Sequence, residues 1–93
     1  MAYTLIHNED ANRYEYHIEG HTCYIDYEDR DGNLHLTHTI VPDALGGRGI
    51  AKQLVIDALE DIRRCGKKAV AECSYIVNFE EKNPDYTDVF TKY

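Results

Sequence analysis

The stretch VPDALGGRGIAKQLVIDALEDIRRCG, Val41 to Gly66, decides how the whole chain must fold. Within it Ile50, Leu54, Ala58, Leu59 and Ile62 recur at helical spacing, while Lys52, Asp57, Glu60, Asp61 and Arg64 occupy the opposite side. Gly66 suits a helix C-terminus, and Arg63, Arg64, Lys67 and Lys68 suit the negative end of its dipole. Three glycines and an arginine crowd the mouth of this helix. Each glycine costs a helix about 1 kcal/mol relative to alanine. Their clustering points to backbone that must come close to something.

Upstream of Val41 the periodicity is two. Tyr14, Tyr16 and Ile18 share one face of RYEYHI, with Arg13, Glu15 and His17 on the other. Cys23, Ile25 and Tyr27 repeat the pattern, as do Leu34, Leu36, His38 and Ile40 against His35, Thr37, Thr39 and Val41. Short breaks at Gly20 and at Asp31-Gly32 read as hairpin turns, and YTLIH ahead of NEDAN adds a first strand. Downstream, KAVAEC reads as a short buried strand. Strand, helix and strand in this order make a right-handed parallel crossover. NFEEKNPDYTDVFTKY then reads as a short helix broken before Pro84, followed by a second short turn or helix. The expected fold is α+β, one domain over residues 1–93. It has a four-stranded antiparallel meander, a crossover helix, a parallel fifth strand and short C-terminal helices.

Composition narrows the function. The chain carries 17 acidic and 10 basic residues, a net charge of −7, which argues against nucleic acid and anionic membranes as partners. A cationic amine fits better. Cys23, Cys65 and Cys73 are odd in number and lack CxxC spacing, so reduced thiols and a cytoplasmic location are expected. No apolar run approaches the roughly 18 residues of a membrane span, and MAYTLIHNED is not a targeting segment. No metal is expected, because His35 and His38 alternate across the strand, and the loop from Tyr27 to His38 lacks calcium ligands at its first and last positions. A monomer is expected.

The glycine loop joins a strand to a helix N-terminus, where unpaired N–H groups and the helix dipole receive phosphate. It is neither a Walker A sequence nor GxGxxG, and a tight turn that simply needs glycine is the other reading. VPDALGGRGIAKQLV resembles motif A of the GNAT N-acetyltransferase superfamily, with Gly47 and Gly49 at its two small positions and Ala44 where the family has Gln or Arg. HTIVP, GRGIA, CSY and NPDY together resemble the very small YjdJ-type acetyltransferases, whose fold is a shortened GNAT fold. The resemblance implies acetyl-CoA as cosubstrate. Its pyrophosphate would lie on the amides of Leu45, Gly46, Gly47, Arg48, Gly49, Ile50 and Ala51. Thr39, Ile40 and Val41 would pair with the pantetheine arm. Asn78 is the nearest counterpart of the family's asparagine after the fifth strand. Where many relatives have a tyrosine acid this chain has Phe79, which leaves Tyr75 as a substitute.

The YjdJ-type resemblance also implies a cysteine at the end of the fifth strand as an acetyl-accepting nucleophile, and Cys73 stands there. Read from the residues alone, Cys73 is equally a small core residue. A thiol needs activation, and His38 on the adjacent strand is the expected base. The function implied is acetyl-CoA-dependent transfer to an amine, with a CoA or acyl-CoA binding protein as the alternative. A protein-interaction module using a tyrosine-rich sheet face is a third.

Overall fold

The computed structural model describes residues 3–92. Five strands, β1 (Ile6–Asn8), β2 (Arg13–Ile18), β3 (His21–Arg30), β4 (Asn33–Ile40) and β5 (Lys68–Ala71), form one sheet in that spatial order. The first four pair antiparallel, and β4 pairs with β5 in parallel. Helix α1 (Ile50–Arg64) makes the crossover, and α2 (Ser74–Lys82) follows β5. Both tight hairpins place two residues at positive φ, Glu19 with Gly20 and Asp31 with Gly32, the backbone that matches the twist of the flanking strands.

One sheet face is packed and the other is bare of helices. Ile50, Leu54, Val55, Ala58, Leu59 and Ile62 of α1 are buried together with Tyr14, Tyr16, Ile25, Tyr27, Leu34 and Leu36. Each fully buried Leu or Ile contributes about 1.5–3 kcal/mol. The tyrosines carry hydroxyls into this seam, and α1 supplies acceptors: Tyr14 donates to Asp61 at 3.0 Å and Tyr16 donates to Asp57. Burial, with the adjacent carboxylate, pushes both phenols far above the ordinary range. Asp57 and Asp61 therefore belong to the helix–sheet seam, not to the exposed side that spacing alone suggests. The tyrosine-rich face is likewise covered by α1, and Tyr14 and Tyr16 are each only 1% exposed, so it offers no surface to a partner. The bare face carries ion pairs instead, including Arg13 with Asp26, and Arg30 with Glu28.

The first strand occupies Ile6–Asn8, not Tyr3–His7, so its start shifts and Asn8 leaves the expected turn for the strand; three later features also differ from expectation. β5 stops at Ala71, because the amides of Glu72 and Cys73 both turn onto the carbonyl of Leu36. Helix α2 consequently begins at Ser74, four residues before the expected start at Asn78. The segment after a 3-10 turn at Pro84–Tyr86 returns to the sheet: Ala69 donates to Val89, Thr91 donates to Ala69, and Phe90 bridges Ala69 in parallel.

Candidate active site

The site lies where β4 and β5 part. Their register runs from Asn33 opposite Lys68 to Leu36 opposite Ala71 and ends there, while β4 continues to Ile40. From Thr37 onward the β5-facing edge of β4 pairs with no strand among the described residues.

A bulge sets what this free end presents. Asp26 pairs with His38 but Tyr27 pairs with Leu36, so Thr37 is an extra residue and the alternation reverses. His38 is carried to the bare face, where its side chain is 68% exposed with Nδ1 3.9 Å from Asp26. It is not brought to Cys73, as strict alternation from Leu36 predicts. Thr39 takes the inward place opposite Ile25. Its hydroxyl oxygen is buried and finds no hydrogen-bond partner among the described residues.

Cys73 is the N-cap of α2, with extended backbone (φ −76°, ψ 134°), so it opens a helix and does not close a strand. A thiol is a weak cap: Ser, Thr, Asp or Asn there would be worth about 1 kcal/mol more to the helix. Burial pushes the thiol up, but the Thr39 hydroxyl, then the amides of Tyr75 and Ile76, outweigh it, and the net pKa lies below the ordinary thiol value. Cys23 is the contrast, fully buried and pushed up by burial alone. Cys65 is exposed.

The glycine loop forms the adjoining wall. Leu45 is buried as its anchor, Gly46 N donates to Asp43 O at 3.0 Å, and Gly47 and Gly49 adopt φ of 80° and 70°. Space beyond both glycines is open, since a Cβ at either would meet nothing within 4 Å. Their φ still demands glycine, so the turn and the open approach are one requirement. Gly49 caps α1 without any side-chain acceptor, and the N–H groups from Gly47 to Lys52 find no acceptor among the described residues. Arg48 is held by Glu19 of the β2–β3 turn, Nη1 to Oε2 at 2.6 Å, which lowers the carboxyl pKa and ties the loop to the hairpin.

A cavity of about 260 Å³ is lined by Val41, Pro42, Asp43, Leu45, Gly46, Gly47, Gly49, Ile50, Ala51, Lys52 and Tyr75. Thr39 and Ile40 lie along the unpaired edge leading from it, with Ile40 exposed. A second cavity of about 360 Å³ adjoins it, sharing Lys52 and Tyr75, and takes in Asn78, Phe79, Lys82 and Asn83. Lys52 and Lys82 were not visible as site residues in the sequence, where each sits in an ordinary polar helix position. Among the described residues no group of three His, Cys, Asp or Glu converges as metal ligands, and no helix is long and apolar enough to cross a membrane.

Residues 13–89 match the sequence profile of the GCN5-related N-acetyl-transferase family. The chain belongs to this family. Protein NATD1 of Bos taurus and of Homo sapiens is 47% identical over 49 residues, 53% of this chain and 43% of theirs. Protein NATD1 of Xenopus tropicalis is 45% identical over the same length, 45% of its own chain. The match therefore spans less than half the length of these relatives. The solution structure of a GCN5-like candidate N-acetyltransferase from Staphylococcus aureus superposes with a TM-score of 0.73 at 28% identity, over 97% of this chain and 89% of that one. The small α+β architecture of this GNAT chain, with its parallel β4–β5 pair, is thus shared along its length.

Proposed function

We propose that the chain binds acetyl-CoA along the glycine loop and the free edge of β4, takes the acetyl group on Cys73, and passes it to an amine. The observation that carries this reading is the buried, unpartnered Thr39 hydroxyl beside a thiol at a helix N-terminus. A buried hydroxyl without a partner costs about 1–3 kcal/mol, an expense that a ligand or thiolate would offset. The free N–H groups from Gly47 to Lys52 fit a pyrophosphate in the same way.

The thioester supplies an activated acetyl group. Cys73 Sγ, as thiolate, forms a bond to its carbonyl carbon. The bond from that carbon to the CoA sulfur breaks, and the CoA leaves as a thiolate that takes a proton from water. A neutral amine then attacks the acetyl-cysteine, loses a proton to solvent, and returns the Cys73 thiolate. The amides of Tyr75 and Ile76 and the Thr39 hydroxyl stabilise negative charge on the sulfur at both ends of this cycle. The acidic surface favours a cationic amine as it approaches.

A second reading has a specific observation behind it. Among the described residues no His, Asp or Glu is paired with Cys73 as a base, which suits a protein that binds CoA thioesters with little turnover. Mass spectrometry of the intact protein after incubation with acetyl-CoA separates the two. An added acetyl group that is absent in Cys73→Ala supports covalent transfer. Binding by calorimetry with no protein-bound acetyl group in the wild type supports the second reading.

A further inference from the structure

His35 is an unusual residue for the bare face of the sheet. It stands opposite Val70 of β5 and Glu28 of β3, yet it is only 8% exposed. Among the described residues one other Asp, Glu, His, Lys or Arg is buried, Glu15, and Asn8 and His17 satisfy it within β1 and β2. His35 instead reaches out of the sheet. Its Nδ1 lies 2.5 Å from Oε2 of Glu72, which follows the last residue of β5. A carboxylate only accepts, so Nδ1 carries the proton and His35 donates. Arg30 Nη1 lies 3.6 Å from the same oxygen, while its Nη2 donates to Glu28 at 2.8 Å. The acetyl transfer described above uses none of these groups, although the residue after Glu72 is Cys73.

This side-chain attachment is one of two. The amides of Glu72 and Cys73 both donate to Leu36 O, at 3.1 and 3.0 Å. The chain is thus tied to β4 by its backbone at Leu36 and by the Glu72 side chain at His35, two consecutive residues of one strand. A single anchor would leave the chain free to swivel about it, and the second fixes its direction. Cys73 departs from this point and caps α2, its carbonyl accepting from Ile76 at 3.0 Å and Val77 at 2.9 Å. Thr39 belongs to β4 as well, so the thiol and its neighbouring hydroxyl are both placed from the same strand. Charge gives Glu72 the opposite influence, because a carboxylate beside a thiolate disfavours it. Electrostatics alone therefore predicts that removing Glu72 quickens the thiol, whereas positioning predicts that it slows.

We infer that His35 and Glu72 are a positioning pair, which sets from the bare face the direction in which Cys73 Sγ meets the acetyl carbon. Neither residue touches the acetyl group, and the inference rests on the Cys73 reading given above. The test follows acetylation of Cys73 by intact mass over a single turnover, across acetyl-CoA concentrations, with CoA affinity measured by calorimetry. His35→Leu and Glu72→Ala break the pair. His35→Asn keeps a donor near the place of Nδ1, and Glu72→Gln keeps an acceptor. The saturating rate should fall about tenfold or more in the first two, since a misplacement of about 1 Å can cost about a hundredfold. The half-saturating concentration and the CoA affinity should hold, and His35→Asn and Glu72→Gln should recover most of the rate. The Glu72 side chain is 36% accessible, so Glu72→Ala should fold and carry the test even where His35→Leu does not. A Glu72→Ala rate at or above that of the wild type overturns the positioning role and leaves the Cys73 reading standing. So does a loss that follows CoA affinity, or one that Glu72→Gln fails to recover. Absence of acetyl-cysteine in the wild type removes the Cys73 reading itself, and this inference with it.

Discussion

The two ends of α1 handle their polar groups in opposite ways. At the C-terminal end Arg63 pairs with Glu60 and Asp88, Arg64 pairs with Asp61, and Lys67 faces Asp29. His7 meets the Tyr27 hydroxyl at 2.7 Å, and Tyr14 donates to Asp61. At the N-terminal end six consecutive amides, the Thr39 hydroxyl and the side chains of Lys52 and Lys82 find no partner among the described residues. Folding alone rewards the first arrangement and penalises the second. The same helix thus has one end finished by the protein and another that a ligand would finish. Substitutions at the two ends should accordingly separate stability from binding.

The largest effect is expected at the unfinished end. Cys73→Ala should abolish protein-bound acetyl while changing stability by no more than about 1 kcal/mol, since a weak cap and a half-buried sulfur are all that is lost. Intact-mass measurement and urea unfolding check the two halves. Wild-type acetyl-cysteine with no effect of the substitution would move the nucleophile to Cys65. At the finished end Asp61→Ala should do the reverse. The Tyr14 hydroxyl, in a residue 1% exposed, would lose its acceptor, and the fold should lose about 1–3 kcal/mol. CoA affinity should stay at the wild-type value. A variant that loses affinity along with stability would tie the two ends together and undo the contrast.

How far this contrast could be read from the sequence follows from its causes. Helix α1, the turns at Glu19-Gly20 and Asp31-Gly32, and the four-strand meander come from local periodicity and turn chemistry, and apart from the first strand, displaced to Ile6–Asn8, they lie where those signals put them. The bulge at Thr37 has no such signal: no glycine or proline marks it, and it follows from how β4 must meet β3. That one residue exchanges His38 for Thr39 beside Cys73, so the expected base was the wrong neighbour. The start of α2 was hidden for a related reason. AVAEC runs into SYIV without a breaker, and only the capture of two amides by Leu36 O ends the strand. Asp57 and Asp61 look like solvent-facing acids until the tyrosines beneath them are placed. Lys52 and Lys82 are 30 positions apart and meet only through the packing of α2 against the crossover unit.

Thr39 gives a smaller and sharper test. Because the folded-state thiol of Cys73 lies below its ordinary pKa, its thiolate persists to lower pH than in the unfolded chain. In a Cys65→Ser background, alkylation by iodoacetamide should therefore half-saturate below the pH expected of a free cysteine, with buried Cys23 silent. Thr39→Val keeps the shape and removes the hydroxyl, so the midpoint should move up toward the ordinary value, and Thr39→Ser should restore it. An unmoved midpoint in Thr39→Val would assign the whole effect to the α2 amides.

The smallest effect is expected at Arg48, and its sign is informative. Both Arg48 and Glu19 are well exposed, with side chains 44% and 61% accessible, so their attraction is screened and adds little to stability. What the pair does is place a carboxylate beside the loop that would hold a pyrophosphate. Glu19→Gln removes that negative charge and frees the guanidinium, at the cost of a looser tether between loop and hairpin. If electrostatics dominates, CoA should bind more tightly at low salt, and the gain should vanish as salt screens the added charge. If the tether dominates, binding should weaken at every salt concentration, because the amides from Gly47 to Lys52 would no longer be held ready. We expect the first outcome. Gly47 and Gly49 already fix the turn through their own positive φ, Leu45 anchors it in the core, and neither depends on Arg48. A salt-independent loss of affinity in Glu19→Gln would show that this end, too, relies on a protein ion pair, and the division of α1 into a finished and an unfinished end would be less complete than its hydrogen bonds suggest.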